Sequence, residues 1–193
     1  MNKRLYVAYG SNLNIHQMQM RCPTAKLYGI GTIQNYELQF KGRADSAFAT
    51  IAPKEGGAVP VAVWEILPKD EMSLDRYEGF PSHYFKQDVP VQLGSEEVSA
   101  MVYIMNLKME FGMPSPFYYQ TVLEGYQDCK LSADALDEAL KNSVQKYLHF
   151  HSPENPTIAL QFFKIIQFKI VHFFFVRIVF SVFIKIYSFY NFT

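Results

Sequence analysis

The sequence predicts an α+β domain, on three observations. Segments with strand character crowd the first hundred residues and segments with helical spacing follow, an order that fits α+β better than a doubly wound sheet. Hydrophobic residues make up 49% of the 193 and aromatics 16%, enough to fill a core and far from a disordered composition. No internal repeat interrupts that order.

Taken in order, Arg4 to Tyr9 reads as a short strand that is apolar on both faces and therefore buried. Gly10-Ser11-Asn12 breaks it, and either Asn12 or Asn14 can cap a helix over Ile15 to Arg21. Strand-like segments follow at Ala25–Lys41, Ala47–Ala52 and Val59–Ile66, with Gly29, Gly31 and Gly42 where bends or bulges belong. Pro68 suits the first position of a helix that stops at Gly79. Two more strands are expected at His83–Leu93 and Val98–Met105. Ser115-Pro116 opens a helix with Tyr118, Tyr119, Val122, Leu123 and Tyr126 at helical spacing. Ser132 is expected to cap the next, with Leu136, Leu140, Val144 and Tyr147 as its apolar stripe.

Composition excludes several functions. The chain holds 18 Lys+Arg against 18 Asp+Glu, and a net charge of zero gives no reason to expect nucleic acid as partner. Cys22 and Cys129 lie far apart with no Cys-x-x-Cys pattern, so neither a disulfide framework nor a zinc site is expected. His149-x-His151 has no further ligand at metal spacing. Leu5 to Tyr9 is too short for a signal-peptide core, and a cytoplasmic location is the expectation.

Two short stretches can carry chemistry. Backbone N–H groups in a strand–turn–helix junction such as Tyr9-Gly10-Ser11-Asn12-Leu13 lack intrahelical partners and can hold a carboxylate or oxyanion. Gly10 lets the backbone come close to a ligand; the plain alternative is an ordinary capped turn. Rossmann and P-loop spacings are absent, and Ser11 has no G-x-S-x-G context. Glu78, just before Gly79, would face the negative end of its helix. Burial among Tyr77, Phe80 and Tyr84 would raise its pKa further and fit it for proton transfer near neutrality. Here the plain alternative is a solvated carboxylate paired with Arg76 or His83. Tyr6, Tyr9, Tyr84, Tyr103 and Tyr118 can line a pocket with phenols, although most of the 13 tyrosines must serve packing.

Leu5-Tyr6-Val7-Ala8-Tyr9-Gly10-Ser11-Asn12-Leu13 resembles the N-terminal motif of the γ-glutamylcyclotransferase-like family. Leu74-Asp75-x-x-Glu78-Gly79, followed by Tyr84, resembles its second motif, and Pro114-Ser115-Pro116-x-Tyr118 its third. The likeness covers roughly residues 3–148, in the family's order. It implies a mixed closed β-barrel with flanking helices, acting on a small-molecule γ-glutamyl substrate to form 5-oxoproline without metal or cofactor. By the same resemblance Glu78 is the catalytic acid/base, and Tyr6, Val7, Ala8, Tyr9, Gly10, Ser11, Asn12 and Tyr118 bind substrate, with Asn12 and Tyr84 less directly implied. A barrel of the same architecture that binds such a ligand without turning it over is the alternative. Which γ-glutamyl compound is used, and whether the chain is a homodimer, stay open.

The resemblance stops before a second composition. Residues 1–154 hold 14 Lys+Arg and all 18 Asp+Glu, whereas residues 155–193 have four basic residues, no acid and no glycine. The chain therefore divides into a domain over 1–150 and an atypical Phe/Ile-rich tail over 151–193. In Ile165–Phe183 the gain from Phe, Ile and Val is nearly cancelled by Lys169, His172 and Arg177. The tail's basic residues keep neither one helical face nor one strand parity. A membrane segment, a packed helix and a non-native extension written in A/T-rich codons are all open readings.

Overall fold

The computed structural model describes residues 3–106 and 108–151. Five strands, β1 (Arg4–Ala8), β2 (Lys26–Arg43), β3 (Ser46–Ile66), β4 (Tyr84–Leu93) and β5 (Glu96–Met105), form a closed barrel in the order β1-β3-β2-β4-β5. Four helices accompany them: α1 (Ile15–Arg21), α2 (Pro68–Glu78), α3 (Pro116–Asp128) and α4 (Asp134–His151). The mixed barrel with flanking helices expected from the sequence is present. The tail lies outside the described residues from 152 onward. Among the described residues, no helix is long and apolar enough to cross a membrane.

β1 makes the sheet mixed. It runs antiparallel to β3, with Tyr6 opposite Trp64 and Val7 opposite Val63, and parallel to β5, with Tyr6 beside Met101 and Val7 beside Val102. Paired on both edges and covered on both faces, β1 buries Tyr6, Val7 and Ala8, which is why it reads as a continuous apolar run. Ile33, Phe40, Ile51, Val61, Val63, Val91 and Met101 are fully buried with it.

β3 departs from the expectation of two strands split around Pro53-Lys54-Glu55-Gly56-Gly57. It is one strand of 21 residues. Tyr36 pairs with Pro53 and Gln34 with Ala58, so residues 54–57 bulge out opposite Asn35 alone. Asn35 takes a positive φ of 61° there and its side chain accepts the N–H of Gly56 at 3.1 Å. The turn-forming residues were legible; the pairing that resumes beyond them on the same partner strand was not.

The helices begin and end where local chemistry requires. Asn14, not Asn12, caps α1, accepting the N–H of Gln17 at 3.0 Å. α2 starts at Pro68, and the buried Asp70 carboxylate accepts from the Leu67 N–H at 3.0 Å and the Thr24 hydroxyl at 2.5 Å. It stops at Gly79, which adopts the left-handed conformation (φ 67°) that a side chain would strain. Ser115 caps α3 through the N–H of Tyr118 at 3.2 Å. The cap assigned to Ser132 sits one residue further out: α4 starts at Asp134, whose N–H reaches the Ser132 hydroxyl at 3.3 Å. The buried stripe of α4 is Leu136, Ala139 and Ser143, rotated from the expected one so that Leu140, Val144 and Tyr147 flank it.

Candidate active site

Three segments meet at one cleft. β1 delivers Tyr6 and Val7, the turn after it delivers Tyr9 to Asn12, and the end of α2 delivers Glu78. Ala49, Tyr84, Tyr103 and Tyr118 complete the wall, around about 310 Å³ of space with its open mouth included. Of the residues singled out in the sequence, Ala8 is not in the wall.

The turn is held in place by its own short helix. Residues Ser11–Leu13 form one 3-10 turn, closed by the Leu13 N–H on the Gly10 carbonyl at 2.9 Å. Ser11 and Asn12 are buried, and no acceptor faces their N–H groups among the described residues. A Cβ on Gly10 would lie 3.2 Å from both Ala49 Cβ and the Tyr118 hydroxyl, so glycine lets the turn close against the wall.

Asn12 has a different task from the cap once open to it. Its Nδ2 donates to the Tyr6 hydroxyl at 2.7 Å and to Glu78 Oε1 at 2.9 Å. Its Oδ1 accepts from Arg21 at 2.6 Å. Arg21 also reaches the Tyr77 hydroxyl at 2.9 Å, with its guanidinium carbon 3.7 Å from the centre of the Tyr77 ring. Tyr77 in turn meets the Ser11 hydroxyl at 3.1 Å.

Burial is the main influence on Glu78, pushing its pKa up to about 7, while the Arg21 charge and the Asn12 hydrogen bond pull it part of the way back. Two of the three expected burying partners differ, while Tyr84, the third, lines the cleft with Glu78. Tyr77 and Phe80 are 47% and 39% exposed, and the phenols of the cleft shelter the carboxyl instead. Neither Arg76 nor His83 forms an ion pair with Glu78 among the described residues; His83 packs over Gly79.

The five phenols divide by hydrogen-bond direction. Tyr9 donates to the Tyr103 carbonyl at 2.5 Å, Tyr103 to Asp75 at 2.5 Å and Tyr84 to the Ala49 carbonyl at 3.0 Å. Tyr6 and Tyr118 instead accept, from Asn12 and from the Ala49 N–H at 3.1 Å. A phenol has one proton to give, so these two have theirs uncommitted among the hydrogen bonds of the described residues. Burial pushes both well above the usual tyrosine range, with the nearby Glu78 adding to it, so both stay neutral donors.

Ala49 and Arg21 were not anticipated, and Tyr77, expected to bury Glu78, instead holds Arg21 and Ser11. Arg21 reads in the sequence as a cation in the last turn of a helix, where the dipole favours one anyway. No local signal separates that from its contact with Asn12.

A closed mixed barrel whose one end gathers a sheltered carboxyl, free main-chain donors and two free phenols is a small-molecule site equipped for proton transfer. The family model described as "Gamma-glutamyl cyclotransferase, AIG2-like" matches residues 6–128, and the chain belongs to that family. Proteins named gamma-glutamylcyclotransferase from Homo sapiens and Bos taurus are 30% and 29% identical to it over 134 and 136 residues, in each case 64% of this chain and 70% of the relative. A solved structure named gamma-glutamyl cyclotransferase superposes with a TM-score of 0.65 at 29% identity, covering 72% of this chain and 87% of that one.

Proposed function

We propose that the protein is a γ-glutamyl cyclotransferase that closes the γ-glutamyl group of a small γ-glutamyl amino acid or amine into 5-oxoproline, with Glu78 as general base and then general acid. The observation that carries this reading is the placement of a carboxyl with a pKa of about 7 in the same cleft as the turn from Gly10 to Asn12. The family and the names of its relatives support the same reaction class.

The reaction is intramolecular. A free α-amine is mostly protonated at neutral pH, with a reference pKa of about 7.7–8.0, and cannot attack until that proton leaves. Glu78 takes it. The amine nitrogen then bonds to the γ-carbonyl carbon and sheds a second proton to solvent, the bond from that carbon to the leaving nitrogen breaks, and Glu78 returns the first proton to the departing amine. A carboxyl poised near the working pH does both transfers with little cost in either direction. The Ser11 and Asn12 N–H groups and the Tyr6 and Tyr118 hydroxyls are the donors available for the substrate carboxylate and the developing oxyanion. Val7, Tyr9 and Gly10 shape the wall that folds the substrate back on itself. Much of the gain comes from holding amine against carbonyl, since effective molarities for oriented reactions reach about 10⁵–10⁸ M.

The test is Glu78→Gln, assayed for 5-oxoproline over a panel of γ-glutamyl amino acids and amines. The wild type should turn over at least one class, and the variant should fold normally and lose nearly all of that activity, by about 10²-fold or more. A variant that retains activity removes Glu78 from the mechanism; a wild type inert on the whole panel removes the reaction.

A further inference from the structure

Arg21 is not itself part of the cleft wall, yet it is the cation beside Glu78. Gln17, one turn earlier on α1, accepts from one guanidinium nitrogen, which also reaches the Tyr77 hydroxyl of α2 at 2.9 Å. With its carbon 3.7 Å from the centre of the Tyr77 ring as well, the guanidinium is held from two helices. Its other terminal nitrogen meets Asn12 Oδ1 at 2.6 Å.

A guanidinium has only hydrogens to offer. Asn12 must therefore turn its oxygen to Arg21, and its two amide hydrogens then point the opposite way, to Tyr6 and to Glu78 Oε1. The reversed amide would set an oxygen against the Glu78 carboxylate. With Oε1 so held, the other carboxyl oxygen is the one left for the substrate amine. We propose that Arg21 is a positioning residue, which through Asn12 fixes the orientation of the Glu78 carboxyl for the proton transfer. This rests on the acid/base role of Glu78.

The groups facing that carboxyl are Tyr6 of β1, Tyr9 just after it, Tyr84 of β4, Tyr103 of β5 and Tyr118 of α3, all phenols that burial keeps protonated. Among the described residues Arg21 is the cation acting on Glu78. Its removal cannot be made up by a neighbour.

The experiment is Arg21→Gln in the full chain, with two readouts: the pH dependence of kcat and KM for 5-oxoproline formation, and the titration of the Glu78 carboxyl carbon by 13C NMR, assigned by its loss in Glu78→Gln. We expect kcat to fall about 10- to 100-fold with KM changed less than about threefold. The rising limb of the pH profile and the NMR midpoint should both move up by about one pH unit. Arg21→Lys should restore the midpoint, since it restores charge, but not kcat, since an ammonium lacks the planar fork. Tyr77→Phe keeps the ring stack while removing one anchor, and should move both readouts the same way by less; it stands in should Arg21→Gln not fold. An unmoved midpoint in both readouts, or an effect confined to KM, overturns the proposal. Because the NMR midpoint needs no turnover, a protein inert on every γ-glutamyl compound would overturn the reaction and leave the Arg21 inference separately tested.

Discussion

Glu78 ends α2, and that single position makes its carboxyl a stability term as well as the proposed acid/base. Its folded pKa of about 7 exceeds the ordinary value of 4.5, so folding favours the protonated form. Below about pH 4.5 both states are protonated and the native state loses nothing. Between about 4.5 and 7 the unfolded chain ionises while the native one stays neutral, and stability declines by something on the order of 2–3 kcal/mol; above about 7 the loss is complete. Glu78→Gln removes the titration and keeps an acceptor for Asn12. Thermal unfolding should therefore find the variant no more stable than wild type at pH 4.5 and more stable at pH 8, by several degrees; an equal difference at both pH values would mean that Glu78 titrates like an exposed carboxyl. Tyr118 offers the complementary case. Its hydroxyl accepts the Ala49 N–H at 3.1 Å and, in the proposed reaction, donates its own proton to substrate. Tyr118→Phe should raise KM for a γ-glutamyl substrate and, by stranding a part-buried N–H, cost about 1–3 kcal/mol of stability. Urea unfolding and steady-state kinetics on one preparation read both effects, and an unchanged enzyme would show the hydroxyl idle.

At the scale of elements, what holds the turn from Ser11 to Leu13 is α3 lying directly against it. A Cβ on Gly125 would come within 2.6 Å of the Asn14 nitrogen and of Leu13 atoms, a contact that backbone cannot relieve without moving. Gly125→Val should push α3 off the turn, lowering stability by about 1–3 kcal/mol and weakening substrate use together, because Ser11 and Asn12 ride on that turn. A variant with lower melting temperature and unaltered KM would show that the turn keeps its place without α3. The same scale separates what was legible in the sequence from what was not. Pro68 and Gly79 bracket α2, and Asn14 and Ser115 cap their helices, because these signals act within a few residues. Glu78 and the Gly10–Asn12 turn were singled out by short motifs as well, but their local signals also fitted a solvated carboxylate and an ordinary capped turn, and the resemblance supplied their roles. The continuity of β3 past its bulge, the rotated stripe of α4 and the exposure of Tyr77 depend on which distant surface each meets. Arg21 belongs with these: its spacing to Asn12 is ordinary, and only the approach of Tyr77 on α2 makes it specific.

For the whole molecule, closure is the condition that brings Glu78 to the turn. β1 must pair with β3 and β5 at once, and α2 is tied to the outside of the same barrel by ion pairs that share partners. Arg4 bridges Glu71 and Asp88, and Lys86 bridges Glu71 and Asp75, at 2.6–3.1 Å. Asp75 also receives the Tyr103 hydroxyl, so the network runs from β1 through α2 to β4 and β5, one turn of helix before Glu78. Single exposed pairs contribute little, but a network with shared partners in which Lys86 is only 17% exposed holds a geometry. Every strand of that closure lies within residues 4–105 and the helices that cover it start by residue 134. The Phe/Ile-rich residues 155–193, with Phe173-Phe174-Phe175 among them, supply none of these strands. A chain ending at Ser152 should therefore unfold cooperatively, form 5-oxoproline within about twofold of the full chain and stay in solution at higher concentration, since it lacks the long apolar stretch most prone to self-association. Circular dichroism melts, the 5-oxoproline assay and light scattering on the two chains side by side decide it: a truncated chain without a cooperative melt would make the tail part of the folding unit, and one that melts normally but is inactive would place the tail in the reaction.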